Sequence, residues 1–222
     1  MRVCFVCNYT VGEFFNIAQR RDAGLYLFGF RGFREVSYEK ELKGETQYFE
    51  SVARLSKEQN AVVVVGCLTD AKGIKRKSAV VAENGRILGV SDMMNVLEEE
   101  VNCGAELKMF HTAIGKMGVV VADDLLFWET VQALCLCGSD FIVCPYDEPV
   151  DSLQSVMARA YAFACGVPIL FCGIGYSFLA NPQGQLEFVS AGSPFYFDYC
   201  IRKEYRLHTT RKRGFRKPVL QL

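Results

Sequence analysis

The run Gly115-Lys116-Met117-Gly118-Val119-Val120-Val121-Ala122-Asp123-Asp124-Leu125-Leu126-Phe127-Trp128-Glu129 constrains this chain more than any other part of it. Met117–Val121 is apolar at both alternating sets of positions, the pattern of a strand buried on both faces. It runs into two adjacent carboxylates, and a helix begins near Phe127. A strand that turns sharply into a helix lifts the turn residue above a sheet. Many α/β hydrolases present a nucleophile from such an elbow. Here the turn residue is Ala122, which has no atom that can attack a carbonyl.

The rest of the chain alternates strand and helix patterns, with no linker long enough to divide it, so residues 1–222 are expected to form one domain ending in a basic tail over about 202–222. Strands are expected at Val3–Cys7, Leu25–Phe28, Ala61–Cys67, Ser78–Glu83, Ile87–Val90, Lys108–Thr112, Met117–Val121, Phe141–Cys144, Val167–Cys172, Tyr176–Ala180, Leu186–Ser190 and Phe195–Tyr199. Asn84-Gly85 between two apolar runs is a hairpin signal. Helices are expected at about Gly12–Arg21, Glu45–Gln59, Phe127–Cys137 and Asp151–Cys165, the last two stopped by Gly138 and Gly166. Residues 30–44 read as a loop, and Lys72, Lys75, Arg76 and Lys77 as a solvated loop. Hairpins mixed with strand–helix units imply mixed sheets, and two sheets with helices outside would bury the two-sided strands.

Half of the residues are hydrophobic, and 25 basic residues balance 25 acidic ones. No global charge favours nucleic acid or an anionic membrane. The longest apolar runs are too short for a bilayer, and the first residues enter a strand pattern without a signal-peptide pattern. Most of the ten cysteines lie in or at the ends of apolar runs, as expected for buried thiols in a reducing cytoplasm. Cys4 and Cys7 should point to opposite faces of one strand. With only His111 and His208, and no second Cys-x-x-Cys, neither a metal nor another cofactor is expected.

Seven segments in order resemble the carbon–nitrogen hydrolase (nitrilase/amidase) superfamily. The elbow is similar to its G-K-x-G-h-h-h-C-Y-D-h-R-F-P-E run, with h apolar. Ala61–Gly66 resembles its strand after the second helix, and Lys77-Ser78-Ala79-Val80-Val81 to Gly85-Arg86-Ile87-Leu88-Gly89 its N-S-A hairpin. Gly138-Ser139-Asp140 to Pro145 resembles its G-A-D strand, Arg159-Ala160-Tyr161-Ala162 its R-A-h-E helix, Ser177 to Pro182 and Gly184 its last hairpin, and Arg216-Lys217-Pro218-Val219-Leu220 its closing R-x-P-x-L. The resemblance implies an α/β fold, a four-layer αββα sandwich with mixed sheets. It also implies a homodimer through the helices at about 127–137 and 151–165.

The family's chemistry uses a Cys nucleophile, a Glu base and a Lys facing the oxyanion. Matching the motifs residue by residue puts Phe30 at the base, Met93 at the lysine and Ala122 at the nucleophile, so no part of the triad is intact. A second family glutamate falls nearest Glu98. Glu98, Asp123, Asp124, Cys144 and Cys172 remain as possible pocket residues. The leading expectation is a nitrilase-fold protein without hydrolase activity, with a binding or assembly role. Two alternatives stay open. One is a divergent amidohydrolase using Cys144 or Cys172 with Glu35 or Glu98. The other is a small-molecule sensor with an apolar pocket. The basic tail suits a solvated or subunit-crossing segment better than RNA binding, because few aromatics interleave its charges.

Overall fold

The computed structural model describes residues 1–17, 22–33, 35–97, 100–148 and 152–201. Its strands are β1 (Arg2–Val6), β2 (Leu25–Phe28), β3 (Glu35–Ser37), β4 (Val62–Ala71), β5 (Ile74–Glu83), β6 (Arg86–Asp92), β7 (Met109–Thr112), β8 (Gly115–Val119), β9 (Phe141–Pro145), β10 (Ile169–Cys172), β11 (Ser177–Ala180), β12 (Leu186–Ser190) and β13 (Phe195–Asp198). The helices are α1 (Val11–Ile17), α2 (Tyr38–Leu42), α3 (Tyr48–Gln59), α4 (Trp128–Leu136) and α5 (Ser152–Cys165), and a 3₁₀ turn covers Ala122–Leu126.

The strands form two sheets. One runs β13-β1-β2-β4-β5-β6, with β3 beside the far end of β4, and the other runs β12-β11-β10-β9-β8-β7. Parallel pairing joins β1, β2 and β4 in the first sheet and β8, β9 and β10 in the second, and antiparallel strands flank both groups.

Side-chain alternation sorts the core into three slabs. Val3, Phe5, Leu25, Leu27, Val62 and Val64 meet Met117, Val119, Phe141, Val143 and Leu170 between the sheets. The intervening residues Cys4, Val6, Tyr26, Phe28, Val63 and Val65 pack outward with Phe14 of α1 and Val52 and Leu55 of α3. Ile142, Cys144, Ile169 and Phe171 pack outward with Val131 and Leu134 of α4 and Ala158, Tyr161 and Ala162 of α5. This is the expected four-layer αββα sandwich with mixed sheets. Cys4 and Cys7 fall in different slabs, as the strand alternation requires.

Three expectations need correction. Residues 30–44 are not all loop: β3 pairs with β4 and leads into α2, elements too short to leave a periodic pattern. The α3 helix begins at Tyr48 rather than Glu45; Glu41 instead accepts the Tyr48 and Phe49 N–H groups that start the helix. Lys75, Arg76 and Lys77 are not loop residues. They pair with Asp70, Thr69 and Leu68 in the β4–β5 hairpin, whose turn residues Lys72 and Gly73 have φ of 55° and 85°. Positive φ at both turn positions matches the twist of a tight hairpin. The expected helical residues 18–21, Asp151 and the whole basic tail lie outside the described residues. Among the described residues, no helix is long and apolar enough to cross a membrane.

Candidate functional site

Open α/β sheets bind ligands beyond the carboxyl ends of their parallel strands. Here those ends bring together the segments after β2, β8 and β9. Phe30 follows β2, and its N–H donates to the Tyr146 carbonyl after β9 at 3.3 Å. A Cβ on the preceding Gly29 would lie 2.8 Å from the Cys172 carbonyl oxygen, so only glycine lets the chain pass there. The Phe30 ring covers Gly66 of β4 so closely that a Cβ on Gly66 would lie 2.5 Å from its Cδ2. Met93 follows β6, is fully buried, and donates its N–H to the Lys77 carbonyl at 2.8 Å. Ala122 opens the 3₁₀ turn with φ of 47°, a left-handed conformation that strains an L-residue. Phe30, Met93 and Ala122 all belong to the apolar slab between the sheets. The side chains at these three positions are therefore part of the packed core.

A charged cluster stands beside these positions. Lys77, on the face of β5 that also presents Ala79 and Val81 inward, has a side chain only 6% exposed. Its Nζ lies 2.7 Å from Asp147 Oδ2 and 3.7 Å from Asp123 Oδ2. The Tyr146 hydroxyl donates to Asp123 Oδ1 at 2.6 Å, and Gln154 Nε2 of α5 donates to that hydroxyl at 3.1 Å. Burial raises the Tyr146 pKa, and its bond to Asp123 adds to the rise. Burial also raises the Asp147 carboxyl above its ordinary value, against the pull of Lys77. Asp147 Oδ1 is buried and accepts no hydrogen bond. Lys77, Asp147, Tyr146 and Gln154 are not among the expected site residues. The strand period was the available signal, because residues 77, 79 and 81 share one face.

The two elbow carboxylates diverge. Asp123 joins the Lys77 cluster, whereas Asp124 Oδ2 accepts from the Met94 N–H at 2.9 Å and its Oδ1 accepts from the N–H and Nδ2 of Asn95 at 2.8 Å each. Asn95 Nδ2 also donates to Thr130 Oγ1 of α4. Burial raises the Asp124 pKa, and these bonds oppose the rise.

The two cysteines are placed apart. Cys144 points into the slab beneath the helices, not toward the site, and burial raises its thiol well above the ordinary range. Cys172 faces the inter-sheet slab, fully buried, with its Sγ 3.7 Å from that of Cys7. Burial raises the Cys172 thiol, while the bond it shares holds Cys7 below the ordinary range. Glu35 pairs with Lys75 at the surface, 3.3 Å away, and so does not accompany either thiol. Glu98 lies outside the described residues. Among the described residues, no group of His, Cys, Asp and Glu is arranged to hold a metal ion.

A cleft of about 230 Å³ opens beside the cluster, lined by Phe30, Leu68, Lys75, Lys77, Glu100, Val101 and Asp147. It is small and partly apolar, with a few convergent polar groups, the make-up of a site for a small molecule.

Comparison with known proteins places this geometry. A probable nitrilase of Schizosaccharomyces pombe is 22% identical over 167 residues, which are 66% of this chain and 61% of that protein. A cysteine-to-alanine mutant of the Nesterenkonia AN1 amidase from the nitrilase superfamily superposes with a TM-score of 0.73 at 16% identity, covering 88% of each chain. Such a mutant of that amidase has also been solved in complex with butyramide. A carbon–nitrogen hydrolase from Helicobacter pylori G27 superposes with a TM-score of 0.70 at 17% identity, covering 86% of this chain and 85% of that one. These structures share the fold, and the family profile described as carbon-nitrogen hydrolase matches residues 22–190, most of the chain, so the chain belongs to the carbon–nitrogen hydrolase family.

Proposed function

We propose that this protein is a non-hydrolytic member of its family that binds a small molecule in the cleft beside the elbow. One observation carries the reading: the positions matching base, lysine and nucleophile are Phe30, Met93 and Ala122, packed together in one apolar slab. Amide hydrolysis through a thioester needs a thiolate, a proton acceptor and a donor aimed at the oxyanion. None of the three side chains supplies one. Removing members of a cooperative catalytic set removes nearly all of its advantage, on the order of a millionfold. The fold tolerates ligand binding without the thiol, since an alanine mutant of the Nesterenkonia amidase is described in complex with butyramide.

The test is ammonia release from a panel of amides, nitriles and N-carbamoyl compounds. Wild type and Ala122→Cys should both give none, because the new thiol would sit in an apolar site that raises its pKa. Robust wild-type release that disappears on Cys144→Ala or Cys172→Ala would replace this reading with a relocated nucleophile. Thiol counting gives independent support. Cys103, Cys137 and Cys200 are exposed and should react promptly with a thiol reagent in the native protein, while the other seven react only on unfolding. A fourth fast-reacting thiol would point to an activated cysteine.

The same reading includes self-association. On α5, Leu153, Val156 and Phe163 are 47%, 53% and 51% exposed, and with Ala160 they form a stripe at spacings of three and four. Tyr161 is buried against Trp128 and takes no part in the stripe. A homodimer through α4 and α5 would cover the stripe. Light scattering should give a dimer for wild type and a monomer for Val156→Glu; a wild-type monomer at micromolar concentration would rule it out.

A further inference from the structure

We infer that the cleft beside Lys77 takes a small primary ammonium carrying a short apolar body, with Asp147 as the group that receives it. The inference rests on the reading of this cleft as a binding site and adds the class of ligand.

Two observations favour a cation over an anion, and a third sets the shape of its body. Lys77, a buried ammonium in the wall, already faces two carboxylates, Asp147 at 2.7 Å and Asp123 at 3.7 Å. Lys75, at the rim, is engaged by Glu35 at 3.3 Å, and Glu100 adds a further carboxylate to the lining. Among the described residues around the cleft, two lysines thus stand against Asp123, Asp147, Glu100 and Glu35. An incoming anion would meet an excess of negative charge, and an incoming cation would reduce it.

The second observation concerns hydrogen bonds. Asp147 lines the cleft, and its Oδ1 is buried without a partner while its Oδ2 holds Lys77. A buried carboxylate oxygen with no donor is costly, and a ligand N–H satisfies it directly. A carboxylate ligand has no proton to offer there; an ammonium has three.

The third observation is the rest of the wall. Phe30, Leu68 and Val101 supply apolar surface. Phe30 is held from both sides, by its backbone bond to Tyr146 and by its contact over Gly66, so that surface is preformed. A volume of about 230 Å³ suits a ligand of a few heavy atoms rather than a larger one. Neither Asp147 nor Lys77 occupies a position that matches the family's triad.

The experiment is isothermal titration calorimetry of the full-length protein with three probes of similar shape, n-butylammonium, butyramide and butyrate. Butylammonium should saturate one site and bind at least about tenfold more tightly than either of the others. Asp147→Asn, with its fold checked by circular dichroism, should weaken butylammonium by about tenfold or more while leaving any butyramide binding little changed. Butyrate binding as tightly as butylammonium, or no saturable heat with butylammonium, would overturn the inference. Unchanged butylammonium affinity in Asp147→Asn would overturn the placement. Should that variant fail to fold, the ranking of the three probes on the wild-type protein decides the matter alone. Ammonia release from butyramide would instead sink the non-hydrolytic reading, and it is measured separately from the ranking.

Discussion

Two groups of residues meet at one end of the sandwich and have opposite characters. Phe30, Met93 and Ala122 are apolar and belong to the core. Lys77, Asp123, Asp147, Tyr146 and Gln154 are polar and linked in a chain of contacts from 2.6 to 3.7 Å. They touch: Met93 and Lys77 are joined by a backbone hydrogen bond across neighbouring strands. The difference shows that this end of the protein did not simply become hydrophobic. A lysine one strand over from Met93 carries the positive charge, and carboxylates compensate it. A buried charge without a partner would cost several kcal/mol, so the lysine and its acids have to exist together.

The comparison breaks most directly at Lys77. Lys77→Met keeps the length and removes the charge, leaving Asp123 and Asp147 buried near each other. Urea unfolding should show a loss of about 3–5 kcal/mol, the usual penalty for stranding one side of a buried pair. Adding Asp147→Asn should return at least about half of that loss, because residues sharing one network are not additive. If the two losses simply add, the cluster is not a unit and the contrast with the apolar group fails.

A smaller effect comes from pH. Burial raises the folded-state pKa of both Asp124 and Asp147 above the ordinary 3.8. The folded protein then holds protons that the unfolded chain has released. The stability contributed by these groups is complete below 3.8 and is lost as pH rises through their raised folded values. Urea midpoints taken from about pH 4 upward should therefore fall less with pH in Asp147→Asn than in wild type. A steeper fall in the variant would mean that Lys77, rather than burial, dominates Asp147.

The smallest effect is expected at Ala122. Replacing it by glycine relieves a left-handed L-residue, worth about 1–2 kcal/mol, and removes a buried methyl, worth about 1 kcal/mol in the other direction. Ala122→Gly should change stability by less than about 1 kcal/mol. Ala79→Gly, at a buried alanine on a regular stretch of β5, has no strain to relieve and should cost more. Equal losses at the two positions would mean that the elbow is relaxed.

Much of this could be read from the sequence, and the parts that could not have physical reasons. Two-sided apolar strands and the Asn84-Gly85 turn indicated two sheets, and φ of 51° and 79° at those residues is the tight turn expected of them. The Lys72-Gly73 turn has nearly the same geometry but was hidden, because lysine is not a usual turn residue and charged neighbours surround it. Lys77 was misread in consequence. Once residues 74–83 are a strand, its inward direction follows from Ala79 and Val81. The partners of Lys77 were beyond sequence reasoning: Asp147 lies 70 positions away on the other sheet's side of the sandwich, and only the stacking of the two sheets brings them together. Phe30, Met93 and Ala122 are singled out by local motifs alone, and the structure puts all three in the slab between the sheets.

The adjacent carboxylates of the elbow have a mechanical consequence. From one turn at the end of β8, Asp124 grips the Met94 and Asn95 amides just past β6, while Asp123 reaches Lys77 on β5. Both holds run from one sheet to the other, so the turn acts as a two-point rivet against sliding between the sheets. At the Arg2–Asp198 edge, by contrast, the ion pair is exposed and joins strands of the same sheet, giving no such resistance. Under force or gentle denaturant, the sandwich should begin to shear away from the elbow. In hydrogen exchange the Met94 and Asn95 amides, though outside any strand, should be as slow as those of the sheets they lock together.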